Sequence, residues 1–166
     1  MNQKLYAYAL RLLAKRMMTE EEVCKKLLQN FHFYTDLNEE EQNEQKEGQI
    51  GEVINKCINE RFIDDVNFVQ MYLEYELSQN FRGKYGYWQK LQKKGIEKSL
   101  FEEEWEKLNP NEYKLAQKLL ENNRFRFSAE IDKQKRRIKI QRFLQGRGFD
   151  FSVIIETTEN FIVEDS

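Results

Sequence analysis

The chain has 166 residues, with 27 Lys+Arg against 29 Asp+Glu and a formal net charge of −2. That balance excludes a histone-like or broadly basic nucleic-acid coat, while leaving room for a local basic face. One proline, seven glycines and twelve phenylalanines combine few chain breakers with many large apolar anchors, the composition of a mostly helical protein.

His32 is the sole histidine, and Cys24 and Cys57 are the two cysteines. These numbers argue against a histidine-rich metal site, a Ser-His-Asp triad and a disulfide scaffold, and they fit a reducing compartment. No run approaches the roughly 20 apolar residues that span a bilayer. The opening MNQKLYAYALRLLAKR has no separate apolar core followed by a small-residue cleavage site. A cytoplasmic location with no membrane partner is expected.

In chain order, Leu5, Ala9, Leu12 and Leu13 mark one side of a helix over residues 3–16. Thr19 with Glu22 forms a capping-box pattern, and Val23, Leu27 and Phe31 continue an apolar face behind it. Residues 34–49, YTDLNEEEQNEQKEGQ, have almost nothing to bury and read as an exposed or disordered loop. A third helix is expected over 50–60, from Val53, Ile54, Cys57 and Ile58.

Asp64-Asp65 supplies the next cap, and Phe68, Val69, Tyr72, Leu73 and Leu77 make a stripe to about Gln79. Gly83 and Gly86 bracket a turn before a helix carrying Tyr87, Trp88 and Leu91, which Gly95 ends. A further helix covers 96–108. Asn109-Pro110 then reads as a cap followed by proline at the first helical position, opening a helix to about Asn122. Helices over 130–145 and 151–158 follow, and then a polar tail with Phe161, Ile162 and Val163, in which a strand is the alternative.

Three helix ends look alike: VCKKLLQNF at 23–31, YWQKLQKKGI at 87–96 and IQRFLQGRGF at 140–149. Each pairs an apolar residue with leucine four positions on (Val23/Leu27, Tyr87/Leu91, Ile140/Leu144), and the next turn holds Phe31, Gly95 or Gly148. Glycine there tolerates a left-handed helix end. The expected fold is therefore all-α: three tandem three-helix modules, at 1–61, 62–109 and 110–166, stacked into an elongated, curved array.

The segments ALRLLAKRMMTEEEVCKKL at 9–27, INERFIDDVNFVQMYL at 58–73, YGYWQKLQKKGI at 85–96 and RRIKIQRFLQGRGFDFSVI at 136–154 resemble, in order and spacing, the RecX-family regulators of the RecA recombinase. The resemblance covers roughly residues 5–155. It implies the three-module architecture, RecA as partner, and a protein lying in the groove of the RecA–DNA filament that usually restrains its activities. Two departures are visible: the insertion around 34–49, and Asn30-Phe31-His32 where the later modules place a glycine.

Charge is unevenly placed. Residues 19–60 hold four bases against eleven acids, and residues 111–148 hold eleven bases against four acids. Lys133, Lys135, Arg136, Arg137, Lys139, Arg142 and Arg147 crowd one helix and its end, and Arg124 and Arg126 interleave with Phe125 and Phe127. Such a face can meet phosphate oxygens or an acidic protein groove, or can simply be solvated. Arg136 has the spacing to drape its stem over the core. Arg147 suits a helix C-terminus as well as a partner contact. Lys84, Tyr85 and Lys90 offer a second, smaller contact surface, Tyr85 being placed to stack on a base or cover a protein hot spot.

Catalytic chemistry has little to rest on. GRGF at 146–149 lacks the length and the Lys-Ser/Thr ending of a phosphate-binding loop. Adjacent Asp64 and Asp65 do not share a helix face and read as capping rather than paired catalytic carboxylates. Glu39-Glu40-Glu41 and Glu102-Glu103-Glu104 read as solvated charge. The expected structural caps are Thr19, Asp64, Asp65, Gly95, Asn109 and Gly148.

The resulting expectation is a non-catalytic, monomeric RecA regulator that needs no cofactor or metal and touches RecA and DNA through its basic C-terminal module. The alternative is an independent helical DNA-binding protein, and a third class is an enzyme, for example a nuclease.

Overall fold

The structure, a computed structural model, describes residues 1–164. Among them lie ten α-helices: α1 (Gln3–Leu13), α2 (Glu20–Asn30), α3 (Glu39–Asn59), α4 (Asp65–Gln79), α5 (Lys84–Gln92), α6 (Lys98–Leu108), α7 (Glu112–Glu121), α8 (Arg124–Ser128), α9 (Lys133–Gln145) and α10 (Phe151–Glu164). A 3-10 turn at Phe31–Phe33 follows α2, and no strand occurs among the described residues. The all-α expectation holds. The chain packs as two compact units, one of Met1–Val69 with Lys93–Glu97, the other of Gln70–Gln92 with the residues from Lys98 onward.

In the first unit, α1, α2 and α3 pack against one another. Leu5 and Ala9, Val23 and Leu27, and Val53, Ile54 and Cys57 bury the facing stripes of the three helices. Each pair spaced by four residues turns one face inward, and burying such a side chain contributes about 1.5–3 kcal/mol. In the second unit, α7, α9 and α10 enclose Leu115, Leu119, Leu120, Phe127, Ile140, Leu144 and Phe161. The rings of Tyr87, Trp105 and Phe101 link α5 to α6, with centroids 5.6 and 5.7 Å apart.

The repeat is visible in how successive helices are capped. At the start of α2, the Glu20 N–H donates to Asp65 Oδ1 at 2.9 Å. At the start of α5, the Lys84 N–H donates to Glu112 Oε2 at 2.8 Å. In both places the first N–H of a second helix is satisfied by an acid at the start of the first helix of the following repeat, where the positive end of the helix dipole favours it.

The preceding residue docks each time on the glycine turn of the following repeat. Thr19 Oγ1 donates to the Lys94 carbonyl at 2.5 Å, and the Gly83 N–H donates to the Arg147 carbonyl at 3.1 Å. Gly95 (φ +82°) and Gly148 (φ +80°) occupy the left-handed conformation in those turns, as glycine at a helix end does. The matching positions Thr19/Gly83, Glu20/Lys84, Asp65/Glu112 and Gly95/Gly148 show the internal repeat more directly than side-chain similarity does.

Several expectations are corrected. Residues 34–49 are not a loop throughout: α3 begins at Glu39, where the Asn38 side chain accepts from the Glu41 N–H (3.0 Å) and Glu41 accepts from the Asn38 N–H (3.1 Å). A reciprocal capping box and three acids in the first turn sustain this polar helix start.

Asn109 does not cap α7. It takes φ +42° after the end of α6, and Asn111 caps α7 by accepting from the Lys114 N–H at 3.0 Å. The two ends of the Asn-Pro-Asn run therefore serve different helices.

Gly86 does not bracket a turn. It is buried within α5, where a Cβ would lie 2.2 Å from the Arg147 carbonyl oxygen. Glu104 is not solvated: it is buried, accepting from Gln70 Nε2 at 2.9 Å and pairing with Lys107 at 2.7 Å. Glu102 pairs with Lys84.

The helix expected over 151–158 continues to Glu164, with Phe161 and Ile162 buried. The tail is therefore neither loop nor strand up to that point, and Asp165 and Ser166 lie outside the described residues. Thr19 forms its capping box with Glu22, and Asp64 accepts from the Asn67 N–H at the head of α4. Asp65 serves the preceding repeat instead, its Oδ1 accepting from the Glu20 N–H at the head of α2.

Candidate interaction surface

The side chains expected to make contacts divide into an inward and an outward set. Arg136, Ile140 and Leu144, spaced by four, are the buried residues of α9. The Arg136 guanidinium lies 5.9 Å from the Phe161 ring, so this arginine belongs to the packing between α9 and α10. Arg137 turns the same way, its Nη2 donating to Glu159 on α10 at 2.8 Å. Arg124 pairs with Glu121 at 2.7 Å and lies 5.3 Å from the Phe161 ring. These three cations hold the third repeat together.

Lys133, Lys135, Lys139 and Arg142 are exposed on α9. Lys139 Nζ donates to the Arg126 carbonyl at 3.1 Å, tying α9 to α8. Arg126 and Arg147 flank the Phe143 ring, at 4.9 and 5.3 Å from its centroid. The bond from Gly83 N–H to Arg147 places Arg82 alongside. Burial lowers the Arg147 pKa, and the charges of Arg82 and Arg126 push it further the same way, although a guanidinium stays charged at neutral pH. Arg82 was missed in the sequence, where its position next to Gly83 is its only mark.

The second expected surface is partly spent on structure. Lys84 pairs with Glu102, and Lys90 Nζ lies 3.7 Å from Glu76. Tyr85 is 59% exposed, as expected of a contact residue. With Lys84 it lines a cleft shared with Trp88, Gln145 and Phe151. The acidic-to-basic gradient along the chain is also softened by folding, because the acids of α6 and α10 join the bases of α8 and α9 in the second unit.

No group of three or more His, Cys, Asp or Glu able to hold a metal ion occurs among the described residues. None of the described helices is long and apolar enough to cross a membrane.

A family model described as RecX, third three-helix domain, matches residues 102–157, which contain α7 to α9, most of α6 and half of α10. The regulatory protein RecX of Staphylococcus carnosus is 33% identical over 162 residues, covering 94% of this chain and 53% of that protein. The chain belongs to the RecX family.

The RecX of Streptococcus agalactiae serotype V is 26% identical over 115 residues, covering 69% of this chain and 44% of that protein. The chain thus spans about half the length of these curated RecX relatives. The crystal structure of RecX from Lactobacillus salivarius superposes with a TM-score of 0.76 at 25% identity, covering 96% of both chains. A second crystal structure, of a regulatory protein RecX, shares the fold with a TM-score of 0.78 at 24% identity, covering 95% of this chain and 73% of that one.

Proposed function

We propose that the chain is a non-catalytic regulator of RecA recombinase filaments, acting by binding the filament groove and restraining ATP turnover, strand exchange or filament growth. Membership of the RecX family, supported along nearly the whole chain by the Staphylococcus carnosus relative, carries this reading. The repeated junctions at Asp65 and Glu112 suit it physically. Repeats built on one plan carry similar faces, and a filament offers repeated sites, so several weak contacts add up through effective concentration. Exposed Lys135, Lys139 and Arg142 are the proposed filament-facing cations, in place of Arg136 and Arg137, whose charges are used internally. The protein acts as a monomer in the cytoplasm in this reading.

Co-sedimentation tests it. Cognate RecA is assembled on single-stranded DNA with a non-hydrolysable ATP analogue and pelleted with the chain present. The chain pellets with filaments in saturable stoichiometry if the reading holds. Pelleting equally with DNA alone would instead favour an independent DNA-binding protein.

A further inference from the structure

We infer that Arg82, Arg126 and Arg147 form a receptor for a phosphate of single-stranded nucleic acid, with Phe125 placed to stack on an adjoining base. This names a ligand for one part of the surface above and rests on that proposed function only for its setting.

The three arginines come from distant parts of the sequence: the turn before α5, α8, and the turn after α9. Folding brings them together at a fixed point. Arg126 and Arg147 approach one ring, Phe143, at 4.9 and 5.3 Å. Arg82 is held next to Arg147 by the Gly83 N–H bond to the Arg147 carbonyl, and its own N–H donates to the Tyr87 hydroxyl at 3.2 Å.

Among the described residues, no carboxylate ion-pairs with any of the three, whereas Arg124 and Arg137 nearby each have one. The charges acting on Arg147 are the like charges of Arg82 and Arg126. The Nε of Arg82 is buried without a hydrogen-bond acceptor. A buried donor left unmet costs about 1–3 kcal/mol relative to a satisfied one, and three guanidiniums near one another repel. An incoming oxyanion relieves the repulsion, accepting from several forked donors at once.

Phosphate of a single strand is favoured over a protein carboxylate by Phe125. It is 94% exposed on α8 and immediately precedes Arg126 in sequence. An aromatic ring left in water next to phosphate-binding arginines is the arrangement by which proteins hold unpaired bases, worth about 1–3 kcal/mol per stacked base. A carboxylate would use the arginines and leave Phe125 idle.

The test uses the full chain and a fluorescent oligothymidylate in a salt titration. The wild-type chain binds, and the Arg82→Gln/Arg126→Gln/Arg147→Gln variant binds about tenfold or more weaker, with a log–log salt slope shallower by about 0.7, the share of one phosphate. Phe125→Ala weakens the oligothymidylate but leaves the slope unchanged, and it does not alter binding of a blunt duplex. Lys133→Gln/Lys135→Gln/Arg142→Gln removes equal charge from α9 and has the smaller effect. Thermal melts of all variants establish that they fold, and Arg→Lys at the same three positions is intermediate because charge remains without the fork.

Equal losses from the two charge-removal sets would overturn the receptor in favour of diffuse attraction. If the arginine variant binds DNA normally but no longer pellets with RecA filaments, a protein carboxylate is the occupant. The inference then fails while the regulatory reading survives. If the wild-type chain pellets with filaments but binds no oligothymidylate, the inference fails in the same way.

Discussion

The backbone N–H of Lys84 donates to the carboxylate of Glu112 at 2.8 Å, so a helix in one repeat is capped by the opening residue of the next. Burial raises the Glu112 pKa, a shift only partly opposed by the Lys84 N–H. The charged form is therefore less favoured in the folded chain than in the unfolded one. This cost is present at neutral pH and is relieved as pH falls through the folded pKa.

Glu22 is the opposite case. Burial pushes its pKa up, but Arg16 and Lys94 outweigh that and leave it lowered from the ordinary 4.5. Its stabilising contribution is present above the unfolded pKa and lost as pH falls through the folded one. Urea unfolding from about pH 7 to about pH 4 checks both signs. Relative to wild type, Glu112→Gln loses ground as the solution is acidified, whereas Glu22→Gln gains it. A shared direction would contradict the assignment.

Glycine substitutions separate close approach from helix propensity. At Gly86 a new Cβ would meet the Arg147 carbonyl oxygen at 2.2 Å, while at Gly48 there is nothing within 4 Å. Backbone stands against backbone at Gly86, so no rotamer relieves the clash. Gly86→Ala is expected to cost about 3 kcal/mol or more, and Gly48→Ala, in the exposed part of α3, to gain about 0.5–1 kcal/mol. Denaturant midpoints at constant m decide this, and a Gly86→Ala loss below about 1 kcal/mol would show that the junction yields.

The start of α3 depends on Asn38. Asn38→Ala removes the acceptor for the Glu41 N–H and is expected to cost about 1 kcal/mol locally. Hydrogen exchange resolves it residue by residue. Amides from Gln42 to Gln49 are slowed in the wild-type chain and speed up in the variant, while those of Val53 to Cys57 change little. Free exchange throughout 39–49 in the wild-type chain would restore the loop reading.

Inward and outward cations on α9 differ in stability as well as in contact. Arg136→Ala strips a buried stem from beside Phe161 and is expected to destabilise by about 1–3 kcal/mol. Lys135→Ala, on the exposed side, stays within about 0.5 kcal/mol. Thermal denaturation of the two single variants compares them directly.

Much of this was legible along the chain because the signals were local. Thr19 with Glu22, Asp64, Gly95 and Gly148 each carry their capping chemistry within a few residues. The apolar pairs spaced by four marked the faces that pack. What escaped depended on distant or competing partners.

Asn38 was obscured by a run of Asn, Gln and Glu that has little to bury, although its cap needs no core. In the Asn109-Pro110-Asn111 run, either asparagine suits a cap, and only the left-handed backbone at Asn109 separates their roles. Gly86 looks like a turn residue until Arg147 is beside it. Thr157 and Thr158 are buried in α10 but interrupt its apolar pattern, which hid the second half of that helix. The basic stretch was visible, but its division between α10 and solvent was not, since Glu159 is remote from Arg137 in sequence.

The central claim, regulation of RecA filaments, is tested most directly by single-strand-dependent ATP hydrolysis by the cognate RecA with increasing amounts of the chain. The account predicts a dose-dependent fall in turnover, and a weaker fall for the Lys135→Gln/Lys139→Gln/Arg142→Gln variant. Turnover unchanged by the wild-type chain, at concentrations matching RecA, would contradict it.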